Sequence, residues 1–344
     1  MNKIILFVIS IFSNFNCISD DMKKVENPQK GNILKNNIAL VYSSKYQINL
    51  AGFEKLHPFD INKYSKIYLK LIKDKLITPK DIFVPEILSE ENILKVHTKA
   101  FLKSLDNSKT ISNYIEAPIL NIFPAEKLIN GLLKPFRYSS AGTLLTAELA
   151  MKNKGIGINI GGGYHHAKPT KGEGFCIYAD IAIAIKVLQE KGIIEKALIV
   201  DVDIHQGNGN AVCFANDQSV FTFSMHEEDI YPEPKEKSDL DIGLNAGTND
   251  KQFLKILDDN LSLIFKKFTP DVVFIVGGCD TLKGDPLANC EMSEEGIVKR
   301  DAYIIEECVN RKIPVILTLG GGYSPNAWHA QYMSIKNLLK DKEQ

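Results

Sequence analysis

The sequence has no Cys-x-x-Cys pair: its six cysteines, Cys17, Cys176, Cys213, Cys279, Cys290 and Cys308, are scattered. That argues against a cysteine zinc site or a dense disulfide framework and leaves them as mainly small buried residues. It also lacks a charge bias, with 41 Lys and Arg against 42 Asp and Glu. No net field therefore exists to hold nucleic acid or an anionic membrane nonspecifically. Long apolar runs are missing too: the longest near the start, Ile4 to Phe12, is too short for a stable bilayer anchor. After residue 36 there is no repeat, linker or low-complexity break, so residues 37–344 are expected to form one domain. With 44% hydrophobic and 24% charged residues in a chain of 344, that domain has ample apolar material for a core.

At the front, Lys3 precedes the apolar stretch, which leads through Ser-Asn-Phe-Asn-Cys to Asp20-Asp21. This has the shape of a signal sequence over residues 1–21, without a small-residue cleavage site; Cys17 could carry the lipid anchor of an exported bacterial lipoprotein. A start at Met22, or a frayed terminus in a cytoplasmic protein, is the alternative. Residues 22–36, polar and lysine-rich, read as a disordered lead-in.

Downstream, strand and helix patterns alternate. Strands are expected at 37–42, 155–160, 197–201, 219–225, 271–276 and 314–319, and helices at 63–75, within 89–105, and at 141–152, 178–189, 250–268, 293–311 and 326–339. His97 falls within the second helix and reads as a packing residue; His57, in a loop, reads as packing too, with the lining of a pocket mouth as the alternative. Residues 238–247 read as a turn-rich loop. The alternation predicts an α/β domain with a mostly parallel sheet covered by helices on both faces.

Polar residues gather where these strands should end. Ala197 to Asn210 runs from a branched apolar strand into Asp201, Asp203 and His205 at period two, then breaks at Gly207 and Gly209. Acids capping the next helix would look the same, so the other segments decide. Gly161-Gly162-Gly163-Tyr164-His165-His166 brings three glycines and two histidines to a strand end, an active-site loop rather than a surface tract, which would not need the glycines. Asp280 follows Gly277-Gly278-Cys279, and Tyr323 follows Gly320-Gly321-Gly322. Asp203, His205 and Asp280 together make a mixed N/O ligand set that leaves one position of a divalent ion open, as in catalytic zinc sites. His165 and His166 are placed for proton transfer and Tyr323 for oxyanion stabilisation, which are the demands of amide hydrolysis.

In this order, Gly-Gly-Gly-Tyr-His-His, Gly-Phe-Cys-Ile-Tyr-Ala-Asp, Asp-Val-Asp-Ile-His-Gln-Gly-Asn-Gly, Gly-Gly-Cys-Asp and Gly-Gly-Gly-Tyr resemble the zinc-dependent histone deacetylase family over residues 37–339. Leu56-His57-Pro58-Phe59-Asp60, Val96-His97-Thr98 and Gly296 to Asp301 resemble its class IV branch. Ser238 to Ile242 is similar to bacterial members. The resemblance implies an arginase/deacetylase-like fold, with zinc or ferrous iron on Asp203, His205 and Asp280. It further implies Tyr323 as oxyanion donor, and His165 and His166 sharing base and acid work, the first oriented by Asp201 and the second by Asn208. A structural potassium ion on Asp201, Ser224 and the Met225 carbonyl is implied as well, as is a substrate tunnel at Gly174, Phe175 and Gly322. Asn208 stands where class I members usually carry aspartate, which makes the partner of His166 less anionic. The implied substrate is an acylated lysine, acetyl or longer, in a protein or peptide. Small acetylated amines such as polyamines are the alternative, and a noncatalytic acyl-lysine binding module or a two-metal ureohydrolase of the related arginase fold are the competing readings. Neither nucleic acid nor membrane is an expected partner of the catalytic domain.

Overall fold

The computed structural model describes residues 38–340; the signal, lipid-anchor and lead-in expectations for residues 1–36, Cys17 included, lie outside the described residues. Eight strands form one sheet: β1 (Ile38–Val41), β2 (Ile82–Phe83), β3 (Ile156–Asn159), β4 (Ala197–Asp201), β5 (Val220–Glu227), β6 (Leu240–Leu244), β7 (Val272–Val276) and β8 (Val315–Thr318). Every pairing is parallel, in the spatial order β2-β1-β3-β8-β7-β4-β5-β6.

Parallel strands need crossovers, and these are helical except between β5 and β6, which residues 228–239 join without a helix. The helices that flank the sheet include α1 (Lys63–Lys73), α2 (Lys134–Asn153), α3 (Asp180–Glu190), α4 (Asn208–Phe214), α5 (Asp250–Lys267), α6 (Glu294–Asn310) and α7 (Ala327–Leu339). The central strands are apolar on both faces because helices cover both. Along β4, Leu198 and Val200 join the core that contains Ile67 and Leu71 of α1 and Ile304 of α6. Ala197 and Ile199 join the opposite core, with Leu144 of α2 and Ile183 of α3. Alternate residues of one strand thus feed two cores. Among the described residues, no helix is long and apolar enough to cross a membrane.

Three expectations are corrected. The 238–247 stretch contains strand β6, whose Leu240 to Leu244 pairs in register with Phe223 to Glu227. Leu240, Ile242 and Leu244 alternate with Asp241 and Gly243, and this short edge strand reads as a turn because Asp and Gly are also turn residues. The helix expected within 89–105 is two short ones, Glu90–Ile93 and Lys99–Ser104. Thr98 caps the second by accepting the Phe101 N–H, so His97 lies between them. Lastly, β4 ends at Asp201, and Asp203 and His205 stand on the loop beyond it. The short helices over 108–133, and the early start of α2 at Lys134, had no counterpart in the sequence reading.

Candidate active site

Strands β3, β8, β7 and β4 are neighbours in the sheet, and each ends in one of the polar glycine segments singled out in the sequence. Their carboxyl ends therefore bring Gly161–His166, Gly320–Tyr323, Gly277–Asp280 and Asp201–His205 to one place, where open α/β sheets bind ligands. A side chain at Gly278 would collide with the Asp203 carboxylate, its Cβ only 2.0 Å from Oδ2, so glycine there is what lets the β7 and β4 ends close up.

Asp203, His205 and Asp280 are buried, with ligand atoms all within 4.8 Å of one another. His205 Nδ1 lies 3.3 Å from Asp203 Oδ1 and 3.1 Å from Asp280 Oδ2. The edge of a tetrahedron with bonds of about 2.0 Å is about 3.3 Å, so this spacing suits a small divalent ion. Two buried carboxylates side by side also call for a cation. Burial and the neighbouring Asp203 raise Asp280, while Asp203 is held well below the carboxylate range because the charges and hydrogen bonds of His165 and His205 outweigh burial. Burial works against charging His205, but hydrogen bonds to both aspartates push it up to about 10, marking the spot as one that attracts positive charge. The residues fit a metal ion. The other Asp203 oxygen accepts the Gly321 N–H at 2.8 Å, and Asp280 Oδ1 accepts the Ile204 N–H at 2.9 Å, so both ligands are pinned by backbone.

The two histidines behind this cluster differ in their partners. His165 Nδ1 meets Asp201 Oδ2 at 2.8 Å, and its Nε2 lies 3.6 Å from Asp203 Oδ1. Burial opposes its charging, but Asp201 and Asp203 outweigh it and push it up to about 9. His166 Nδ1 meets Asn208 Oδ1 at 2.7 Å; burial, then the nearby His165 and His205, drive it well below the usual range. Neighbouring imidazoles are thus set apart, one held charged and one held neutral. Tyr323 stacks edge-on to His205 and Phe175, with ring centroids 6.3 and 5.8 Å away, and burial keeps its phenol protonated. Its backbone N–H and that of Ser324 donate to Asp285 at 2.7 and 3.0 Å.

A cavity of about 310 Å³ reaches the two histidines and Tyr323. Phe175, His57 and Glu116 line it, as do Tyr46, Leu50, Leu132 and Phe136, with His165, His166 and Tyr323 also on its wall. Most of the lining is apolar. Gly174 and Phe175 both have left-handed backbone, and a Cβ on Gly174 would sit 2.4 Å from the His166 ring. Gly320 and Gly321 line the cavity, whereas a side chain on Gly322 would point at Ala327 and Cys279. Asp201 pairs with Ser224 across β4 and β5, and Ser224 Oγ accepts the Gly207 N–H at 3.3 Å; Met225 is buried beside it.

Sequence reasoning missed four residues here and preferred packing for a fifth. Tyr231 packs its ring 5.1 Å from that of His166 at the outer side of the site. Glu116, with left-handed backbone, brings a carboxylate to the cavity wall; the only signal was the Glu-Ala-Pro turn. His57, for which packing was preferred over a pocket mouth, stands edge-on to Phe175 at 4.3 Å and lines the cavity. Lys63 is fully buried and donates to the carbonyls of Gly320 and Gly321 at 2.9 and 2.8 Å. Arg300 donates to the carbonyls of Val202 and Gly278 at 3.1 and 2.7 Å, tying together the two loops that carry the acidic ligands. His97 is structural as expected: its Nε2 accepts the Ala179 N–H ahead of α3.

An open metal-type triad with paired histidines and a phenol, on an all-parallel sheet, defines the deacetylase-like class, and the chain belongs to the histone deacetylase family. The histone deacetylase domain matches residues 57–339. Histone deacetylase 2 of Arabidopsis thaliana is 34% identical over 306 residues, 88% of this chain and 79% of the relative. The acetoin utilization protein AcuC of Staphylococcus aureus is 31% identical over 323 residues, 86% of this chain and 81% of that one. Among solved structures, an HDA15 HD domain shares the fold, with a TM-score of 0.72 at 20% identity, covering 88% of this chain and 90% of that one. Family membership supports a hydrolase of the deacetylase kind.

Proposed function

We propose that the protein is a metal-dependent deacylase that hydrolyses the amide of an acylated lysine side chain and accepts acyl groups longer than acetyl. The observation that carries this reading is that one cavity is lined both by His165, His166 and Tyr323 and by the apolar Tyr46, Leu50, Leu132 and Phe136. An acetyl group needs no such space, and every buried CH₂ of a longer chain contributes about 0.8 kcal/mol.

Asp203, His205 and Asp280 would hold the metal, zinc by the family's habit, with ferrous iron suited to the same donors. When bound, it supplies Lewis acidity toward the amide carbonyl and the attacking water. Gly174, Phe175 and Tyr231 border the lysine stem, since glycine admits close approach and aromatic faces grip methylenes. His166, held neutral with its Nδ1 turned to Asn208, takes the proton of the attacking water at Nε2. His165, held positive by Asp201, balances the developing negative charge and is the proton source for the departing amine. Tyr323 donates its hydroxyl to the developing oxyanion. Glu116 is placed to accept an N–H from the substrate backbone. A potassium ion on Asp201, Ser224 and the Met225 carbonyl would brace the β4 and β5 ends. The family branch we favour is class IV, on the motifs around His57 and Arg300.

The test is turnover by the zinc-loaded chain on paired acetyl-lysine and myristoyl-lysine peptides and on N-acetylated polyamines. Faster turnover of the long chain is expected. Preference for acetyl-lysine would show that the inner lining does not take the acyl group, activity confined to small amines would replace lysine as substrate, and binding without turnover would make the protein a reader of acyl-lysine.

A further inference from the structure

Asn208 holds His166, but nothing in the histidine itself decides which end of the Asn208 amide it meets. An amide offers an oxygen on one side and an NH₂ on the other, nearly equal in shape. With Oδ1 toward His166, the imidazole must carry its proton on Nδ1 and leaves Nε2 free to accept. With the NH₂ there instead, Nδ1 would be the acceptor and Nε2 would carry the proton. The two orientations thus give opposite proton chemistry on the cavity side.

The other end of Asn208 meets Glu173. Asn208 Nδ2 donates to Glu173 Oε1 at 2.5 Å, while Asn208 Oδ1 faces His166 Nδ1 at 2.7 Å. A carboxylate can only accept, so an ionised Glu173 admits only the NH₂. Glu173 is kept ionised: burial opposes it, but Lys171 and Lys168 outweigh that and hold it below the usual carboxylate value. Lys168 lies 3.1 Å from Glu173 and 2.9 Å from Glu236, and Lys171 pairs with Glu173 from the solvent side. Glu173 itself is fixed by backbone bonds in both directions with Cys176, across the turn that carries Gly174 and Phe175.

We propose that Glu173 is a positioning residue that locks the amide of Asn208 and thereby fixes His166 as the Nδ1–H tautomer. Resting on the proposed hydrolysis, it assigns to Glu173 and Asn208 jointly what an aspartate at position 208 would do alone. The negative charge lies one residue further from the imidazole, and the amide passes on its polarity and its orientation.

Two measurements test this. Nitrogen-15 shifts of the His166 ring in the metal-free chain should show a single Nδ1–H tautomer in the wild type and a mixture in Glu173→Ala. Kinetics on whichever acylated substrate the wild type turns over should show Glu173→Ala losing roughly tenfold in kcat with little change in KM. Asn208→Asp alone should also lose kcat, because it sets two carboxylates face to face. Adding Glu173→Gln, which keeps the volume, should restore kcat to within about threefold of the wild type. An unchanged His166 tautomer in Glu173→Ala, or additive losses in the double variant, would overturn the proposal. A wild type that hydrolyses nothing would defeat the proposed function instead, and the nitrogen shifts would still decide the role of Glu173.

Discussion

His97 is 2% exposed, and its Nε2 serves as the acceptor for the Ala179 N–H at 2.9 Å. Protonation would end that bond, and burial lowers its pKa from 6.5 to about 4. Between those values the unfolded chain binds a proton that the folded chain refuses, so stability falls as pH drops through 6.5 toward 4. From pH 7 to pH 5 the loss from this residue should be about 2 kcal/mol. Urea unfolding at the two pH values should show His97→Gln with a correspondingly flatter dependence; an equal slope would remove His97 as the cause. In the site, two substitutions separate roles that the sequence listed side by side. Tyr323→Phe should keep the metal and lose roughly 10²–10³ in kcat, because only the oxyanion donor goes. Asp280→Ala should lose the metal itself, read by metal analysis after dialysis, and retention of a full equivalent would show that a different third ligand operates. Residue types at the ligand and histidine positions were legible because few folds require Asp, His and glycine in such order. Glu173 and Glu116 were not, since an acid in a polar turn gives no sign of what it faces.

The turn from Gly172 to Cys176 shows how an element imposes its conformation on chemistry. Gly174 has φ of +55°, Phe175 +65°, and the Gly174 Cα hydrogens face the His166 ring. Gly174→Ala adds left-handed strain of about 1–2 kcal/mol and a methyl 2.4 Å from His166 Cδ2. We expect kcat to fall by at least about tenfold as the ring is displaced, with Tm lowered by no more than about 5 °C. A loss of Tm without loss of kcat would show that the ring accommodates the methyl. Strand and helix positions along β4, β7 and β8 were readable from apolar runs bounded by glycine. Edge strand β6 was not, because one half-exposed face leaves only Leu240, Ile242 and Leu244 as signal. The break at His97 escaped for a different reason: Thr98 starts a new helix by capping, and the apolar pattern runs straight through it.

Across the molecule, the ends of β4 and β7 are held in place from below by Arg300 of α6, whose guanidinium also pairs with Asp301 at 2.9 Å. Asp301 in turn accepts from Ser334 of α7 at 2.6 Å, so one buried ion pair links two helices to the two loops bearing acidic ligands. Arg300→Met should cost about 3–5 kcal/mol of stability because it strands the Asp301 charge. Adding Asp301→Asn should recover part of it in urea unfolding; no recovery would show that the carbonyl contacts, rather than the stranded charge, carry the loss. Apolar periodicity and the spacing of glycine, Asp and His along the chain determined by themselves an α/β sheet with its chemistry at strand ends. Those signals are local, set by the period of each strand and the breaks that end it. Which strands became neighbours, that Lys63 and Arg300 reached backbone carbonyls, and which residues line the cavity beside the histidines were decided only by tertiary structure. They depend on contacts between residues far apart in the chain, which no local pattern encodes.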